Sequence, residues 1–340
     1  MTKEYKIAVI PGDGIGRDVI KAAKLVVDTA NELHPEFTMD FIHLLVSHAA
    51  IEKYGDHFPQ ETRDGIAQVD AILFGASGIS PVLGEFKRGY DLYAVVRPIQ
   101  ALPGTDALHP DADFIIIREG TEGLYSRFGW IDRDYHVNLR VFTTKAMERV
   151  IRFAFEFAIR EGRKKVTFTH KAKVLVHTDG TWLNMFNEIS QEYPQIESED
   201  LTIDTCFMEV VRNPGRLDVI ITENSNGDLL SDTGAGIIGG LGYAYSGAIG
   251  DNLGMFEPIH GTAEKYADKD IVNPTAAIMA SKFMFEYLGE RETGAQILHA
   301  LKDVLLEGQV RTYHMGGKAT TTEFAEAVAL RMRKNVKREV

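Results

Sequence analysis

Two aspartates, Asp228 and Asp232, stand four positions apart in the segment ENSNGDLLSD (223–232). Acids at i and i+4 project from one face of a helix, and this stretch directly follows LDVIIT (217–222), an apolar run of strand length. Parallel sheets place their ligand crevices just beyond the ends of such strands. Taken alone, the pair also fits an ordinary helix start, with Asp228 favoured by the dipole near the first turn and Asp232 solvated. Asp204 in LTIDTCF adds a third acid at the end of another apolar segment. Three carboxylates without a Cys or His cluster form the hard oxygen set that Mg2+ or Mn2+ prefers.

A second constellation is cationic. YDLYAVVRP (90–98) carries Arg97 at its close, DFIIIREGTEGLY (113–125) sets Arg118 at a strand end, and FKRG supplies Lys87 and Arg88. An arginine usually ends in a surface ion pair; one that closes an apolar strand in an acidic chain is a candidate to grip a carboxylate through its two-pronged donors. Lys171 follows the strand-like KVTFT in KVTFTHKAK (165–173). It reads either as a solvated cap or as a base whose pKa burial has lowered. The stretch PGDGIGRDV (11–19) is spaced G-D-G-I-G rather than G-x-G-x-x-G, and no acid closes a second strand about 20 residues later, as ribose recognition in that motif requires. A tight strand-to-helix turn accounts for its glycines.

These residues need a scaffold, and the chain is large enough to build one. At 340 residues, 44% hydrophobic and 25% charged, it can bury a sizeable core and is more naturally two domains than one. Apolar strand-like runs at 6–10, 70–76, 113–119, 165–169, 201–205 and 218–222 alternate with helical patterns from Arg17 to about Leu33 and near 144–162. That alternation predicts an α/β protein with a largely parallel sheet. DYHVNLRVFTT (134–144) instead alternates polar and apolar residues, as in a half-exposed strand or arm that could join subunits. From 273 onward three helices follow, the last opened by a Thr cluster with Glu323 in capping position. No repeat or Pro/Gly/Ser-rich linker appears, so any domain boundary is expected inside the sheet.

Composition narrows the function. No apolar run approaches the roughly 20 residues of a membrane span, and the strand beginning almost at Met1 leaves no room for a cleavable leader. A cytoplasmic protein without membrane contact is expected. One cysteine, Cys206, can form no internal disulfide and suits a reducing compartment as a buried small hydrophobe. The net charge is −12, and the one basic run, RMRKNVKR, lies at the C-terminus. Nucleic acid is not an expected partner.

The order of IPGDGIG, YDLYAVVRP, REGTEGLY, THKAKVL, NSNGDLLSD, FEPIHGTAEKYADKDIVNPTA and GGKATTTEF resembles the isocitrate, homoisocitrate and 3-isopropylmalate dehydrogenases, a family of β-decarboxylating dehydrogenases, over nearly the whole chain. The resemblance implies a two-domain α/β fold with a central, mostly parallel sheet, distinct from the Rossmann fold. Residues 1–93 and 239–340 would form the large cofactor-binding domain and 94–238 the small domain with the metal site and dimer interface, the active site lying between. It further implies a homodimer with shared sites, acting on a small 3-substituted malate. Asp228 and Asp232 would bind Mg2+ or Mn2+, with Asp204 contributed by the other subunit. Arg97 and Arg118 match the arginines that hold the malate carboxylates, and Lys87 stands where a further arginine is customary. Lys171 matches the base, again given across the dimer, and Tyr125 the tyrosine that protonates the enolate. His260, Gly261, Thr262, Ala263, Lys265, Tyr266, Asn273 and Tyr313 fall on the cofactor positions.

Lys265 and Tyr266 stand where NAD-dependent members place an acid for the ribose hydroxyls. A carboxylate repels a 2′-phosphate, whereas ammonium and phenol bind it, so NADP is expected over NAD. The arginine expected four residues after Tyr313 is Gly317, with Arg311 and Lys318 as substitutes. Two further departures are Lys173 for the Asn of HKAN and Asn226 for the aromatic of N-x-F-G-D. Lys87 and Lys173 would suit an acidic third substituent on the malate: a carboxylate, sulfonate or phosphonate. Isopropylmalate, homoisocitrate, tartrate or D-malate are the alternative substrates. A catalytically silent regulatory paralogue and a metal-free Rossmann hydroxyacid dehydrogenase are the rival readings.

Overall fold

A computed structural model of the chain describes residues 2–339, with side chains through Val336. Lys337 and Arg338 of the C-terminal basic run therefore lie outside the described side chains. The strands are β1 (Lys3–Gly12), β2 (Phe37–His43), β3 (Ala71–Ala76), β4 (Ala94–Gln100), β5 (Asp113–Glu119), β6 (Gly129–Ile131) and β7 (His136–Asn138), then β8 (Lys165–His170), β9 (Glu197–Thr202), β10 (Val219–Thr222), β11 (Tyr245–Ile249) and β12 (Gly254–Pro258). The α-helices are α1 (Gly16–Leu33), α2 (Ser47–Tyr54), α3 (Gln60–Ile66), α4 (Ser80–Gly89), α5 (Thr144–Arg160), α6 (Thr181–Ser190), α7 (Ile203–Arg212), α8 (Asn224–Ile237), α9 (Thr275–Tyr287), α10 (Arg291–Glu307) and α11 (Thr321–Glu339).

The chain divides into two compact units. The first comprises Met1–Tyr90, Leu102–Ala107 and Gly239–Val340; the second comprises Asp91–Ala101 and Leu108–Ile238. In the first unit the strand order is β2-β1-β3-β12-β11, all parallel except β11, which runs against β12. In the second it is β4-β5-β10-β8-β9, all parallel except β4, which runs against β5. Apolar runs explain this architecture: Ile7 to Ile10 and every residue of β3 are buried, as strands covered on both faces must be. Helix α9 is apolar almost all round and is buried along most of its length, so it serves as a core element. Helix α11 opens with a reciprocal cap, in which Thr320 N–H donates to Glu323 at 2.8 Å and Glu323 N–H to Thr320 Oγ1 at 3.0 Å. Cys206 is fully buried, and desolvation pushes its thiol up to about 12. Among the described residues no helix is long and apolar enough to cross a membrane.

Three local expectations are corrected. The strand read at 201–205 ends at Thr202, whose hydroxyl accepts from Thr205 N–H and starts α7, so Asp204 sits in a first helical turn. Arg97 lies in the middle of β4, because the antiparallel pairing with β5 continues through Gln100. In the 134–144 segment only His136–Asn138 is a strand, and it pairs with β6 in a ribbon that exposes Trp130, Ile131 and Tyr135.

Candidate active site

Five of the site residues read from the sequence converge in the second unit. Val95 faces Arg118 across β4 and β5, and Arg97 is two residues on from Val95, so both arginines leave the same face of the sheet. Each is almost wholly buried, at 5% and 3% exposure. Helix α8 crosses that face. Asp228 Oδ1 accepts from Arg97 Nη1 at 3.2 Å and, at shorter range, from Arg118 Nη1. Asp228 Oδ2 accepts from the Tyr125 hydroxyl at 3.1 Å. Arg118 also donates from Nε and Nη2 to Asn224 Oδ1, at 3.0 and 2.6 Å, and its guanidinium lies 5.5 Å from the Tyr125 ring centroid. A β-carbon at Gly227 would stand 2.8 Å from Arg118 Cγ, so glycine at this position lets the helix press against the arginine.

The first-turn reading of Asp228 gives way to a different cap. Helix α8 begins at Asn224, and it is Glu223 that accepts from Ser225 N–H at 2.9 Å and Asn226 N–H at 2.7 Å. This frees Asp228 and Asp232, one turn further along, for other work. Desolvation and the neighbouring Asp228 raise the Asp232 carboxyl above the usual range, against the pull of Arg97 and Arg118. Two acids that repel each other on a partly desolvated face are suited to a hard cation. Burial and Asp228 likewise push the Tyr125 phenol up, so it keeps its proton.

Lys171 and Asp204 are found elsewhere in the unit. Lys171 follows β8 and its ammonium is ion-paired with Asp204 at the surface, holding that carboxyl below its ordinary value. Among the described residues no three His, Cys, Asp or Glu side chains assemble into a metal site. One chain thus brings Asp228 and Asp232 together without Asp204.

Arg140 had no signal in the sequence. Its Nη1 donates to the buried Asp179 at 2.6 Å, and its Nη2 lies 3.6 Å from the capping Glu223. Asp179 in turn accepts from the backbone N–H of Lys171 at 2.7 Å. Arg140 therefore braces both the lysine loop and the start of the acidic helix. Arg140→Met would leave the Asp179 carboxylate, 2% exposed, without its cation, and should lower the free energy of unfolding by about 3 kcal/mol. Urea denaturation checks this; an unchanged midpoint would show that the brace carries no weight.

The residues read as cofactor-binding lie in the first unit. His260 to Tyr266 follow β12, with Ala263 in the left-handed region at φ +38°. The Lys265 ammonium stands 4.7 Å from the Tyr266 ring centroid, and Lys265, Gly261 and Tyr313 are exposed. Burial lowers the His260 pKa, and its Nε2 has no hydrogen-bond partner; the same is true of Asn273 Nδ2, Thr275 Oγ1 and Thr312 Oγ1. Of these, His260 and Asn273 fall on positions read as cofactor-binding, where a buried polar atom without a partner suits a polar ligand. Gly242 packs between Asn273 Nδ2 and the His314 ring, which places the 313 segment beside Asn273. A β-carbon at Gly317 would stand 2.0 Å from the Arg311 carbonyl, so no arginine could replace it without moving the loop. Arg311 donates to Gly104 O at 3.3 Å, which leaves the exposed Lys318 as the other cation of that segment. Lys87 is buried in the last turn of α4, where the helix dipole favours its charge.

Similarity to known proteins spans nearly the whole chain. The family model described as isocitrate/isopropylmalate dehydrogenase matches residues 6–328. A 3-isopropylmalate dehydrogenase from Methanothermobacter thermautotrophicus is 41% identical over 96% of this chain and 98% of its own. An isocitrate/homoisocitrate dehydrogenase from Thermus thermophilus is 40% identical over 95% of this chain and 97% of its own. The crystal structure of an isocitrate dehydrogenase from Methylococcus capsulatus superposes with a TM-score of 0.91 at 38% identity, covering 97% of this chain and 99% of that one.

Proposed function

This chain belongs to the isocitrate/isopropylmalate dehydrogenase family of decarboxylating oxidoreductases, and from that premise we propose that it oxidatively decarboxylates a malate with an acidic substituent at carbon 3, using Mg2+ or Mn2+ and NADP. The observation that carries this reading is the convergence of Arg97, Arg118 and Tyr125 on Asp228, with Asp232 one turn away. Two buried guanidinium groups supply forked donors for the two malate carboxylates. The hard oxygen pair of Asp228 and Asp232 fits a divalent cation, and Asp204 of a second copy would complete the set. Together the two arginines and two aspartates are neutral, so a dianionic malate with a divalent ion is balanced and a third negative charge calls for further cations. Lys87 and Lys173 supply them.

When bound, the metal polarises the substrate oxygen on which charge develops and the dinucleotide accepts the hydride. The remaining steps fall to the chain's own groups. Lys171, given by a second copy, takes the hydroxyl proton. Tyr125, kept protonated by burial and by Asp228, delivers its proton to carbon once CO2 has left. Arg97 and Arg118 hold the carboxylates so that the departing one is aligned with the forming carbonyl. NADP is favoured over NAD by the exposed Lys265 paired with the Tyr266 ring, because ammonium and phenol attract a 2′-phosphate.

A panel of 3-substituted malates, assayed for reduced nicotinamide with each cofactor and with or without chelator, tests the proposal. Turnover of tri-anionic malates with NADP, abolished by chelator, is expected. Turnover of isopropylmalate alone would refute the acidic substituent. Activity that survives chelation would favour a metal-free hydroxyacid dehydrogenase, and silence on every pair would favour a regulatory paralogue.

A further inference from the structure

The strands β1, β3 and β12 run parallel in the first unit, and the loops leaving their C-terminal ends lie where open α/β sheets bind ligands. Hydrogen bonds knit these loops together. Ile15 N–H donates to Thr262 O at 2.8 Å. The Asp13 carboxylate, 4% exposed, accepts from Gly78 N–H at 2.8 Å, from His48 N–H at 3.3 Å and from the Ser47 hydroxyl. His48 Nδ1 lies 3.1 Å from the same carboxylate. Burial alone would raise the Asp13 carboxyl, but Ser47, Gly78 and His48 outweigh it and hold it low. Asp13 is therefore a buried anion with its oxygens committed.

What it positions is unusual. Ser47 is held at φ +63°, a left-handed conformation that a residue with a β-carbon adopts under strain, and such strain persists where the surroundings enforce it. Here the enforcing partners are Asp13 and the Ser77 hydroxyl at 2.9 Å. The turn that results presents His48 with its Nδ1 anchored and its side chain 68% exposed, so Nε2 is the ring atom left to meet a ligand. A β-carbon built on Gly78 would lie 3.4 Å from His48 Cε1 and 3.7 Å from Thr262 Cγ2. The imidazole thus stands across Gly78 from the loop that carries the cofactor positions. A dinucleotide brings several negative charges to a chain of net charge −12, and besides Lys265, read above as meeting the 2′-phosphate, two nearby cations are engaged: Arg17 bridges Asp268, and Lys269 bonds Lys265 O at 2.6 Å.

We propose that His48, oriented by Asp13, binds a phosphate of the dinucleotide pyrophosphate. Asp13 is then a positioning residue that acts through the imidazole. The inference rests on the cofactor reading above. Its test is equilibrium binding of NADPH, followed by the fluorescence of the reduced nicotinamide. His48→Asn retains an amide to meet Asp13 but has nothing at the place of Nε2, and should bind NADPH roughly tenfold more weakly with an unchanged melting temperature. Adenosine 2′-monophosphate, which lacks the pyrophosphate, should bind the variant and the parent equally, by calorimetry. Should the asparagine variant fold poorly, His48→Gln, which keeps the reach of the ring but puts an amide in place of the imidazole, carries the same test with a smaller loss. Unaltered NADPH affinity overturns the proposal, and so does an equal loss for both ligands, which would report damage to the loops. A parent protein that binds neither NADPH nor NADH overturns the cofactor reading itself.

Discussion

Asp232→Asn should yield a protein that is slightly more stable without metal and nearly inactive with it. Asp228 and Asp232 are like charges at i and i+4, a destabilising arrangement on a helix worth about 0.5 kcal/mol and screened at the partly exposed Asp232. Removing one charge relieves that repulsion. The folded-state pKa of Asp232 is raised, by desolvation first and Asp228 second, so the native state holds this proton more tightly than the unfolded chain does. The penalty is therefore present while Asp232 is ionised and fades as pH falls through its folded pKa. The advantage of the variant at neutral pH should accordingly vanish in acid. Magnesium should reverse the order, since only the parent gains stability by binding it. Because an electrostatic contact at developing charge is worth about 10² to 10³ in rate, kcat/KM should fall by that factor. Denaturation curves at two pH values, with and without Mg2+, read the stability; full Mg2+-dependent activity in the variant would remove Asp232 from the metal set.

Lys171→Met should lower kcat by about 10² to 10⁴, the usual weight of a proton-transfer group, with KM for the malate little changed. The fold should be untouched, because the Lys171–Asp204 pair lies at the surface and exposed pairs contribute little. The sharper result comes from mixing. If Lys171 serves the site of a second copy, a mixed dimer of Lys171→Met and Asp232→Asn chains regains one intact site. Random pairing makes half the dimers mixed, each with one of two sites restored, so about a quarter of the parental activity should return on refolding two dead variants together. Activity that stays at the level of the separate variants would show that each chain completes its own site.

Much of this site was legible because its residues lie at the ends of apolar runs. Arg118 at the close of DFIIIRE and the acids following DVIIT could be found from hydropathy and spacing, since a parallel strand buried on both faces must be apolar and its C-terminal loop carries the chemistry. Asn224 and Glu223, which hold Arg118 and cap α8, could have been noticed as the polar pair between strand and helix. Arg140 and His48 could not. Arg140 meets Asp179 across 39 positions of sequence and His48 meets Asp13 across 35, and neither sits in a pattern that sets it apart from a surface residue.

The sequence by itself determined the α/β architecture and the helix that carries two acids, because the periodicity of burial and the local capping chemistry are properties of neighbouring residues. It also carried the family likeness, through the order of short motifs along the chain. Only the tertiary structure decided that both arginines and the tyrosine converge on Asp228, that Lys171 pairs with Asp204, and that a buried Asp13 stands behind His48. Those meetings depend on strand register and on helix packing, which join residues far apart in the chain through contacts with no local signature.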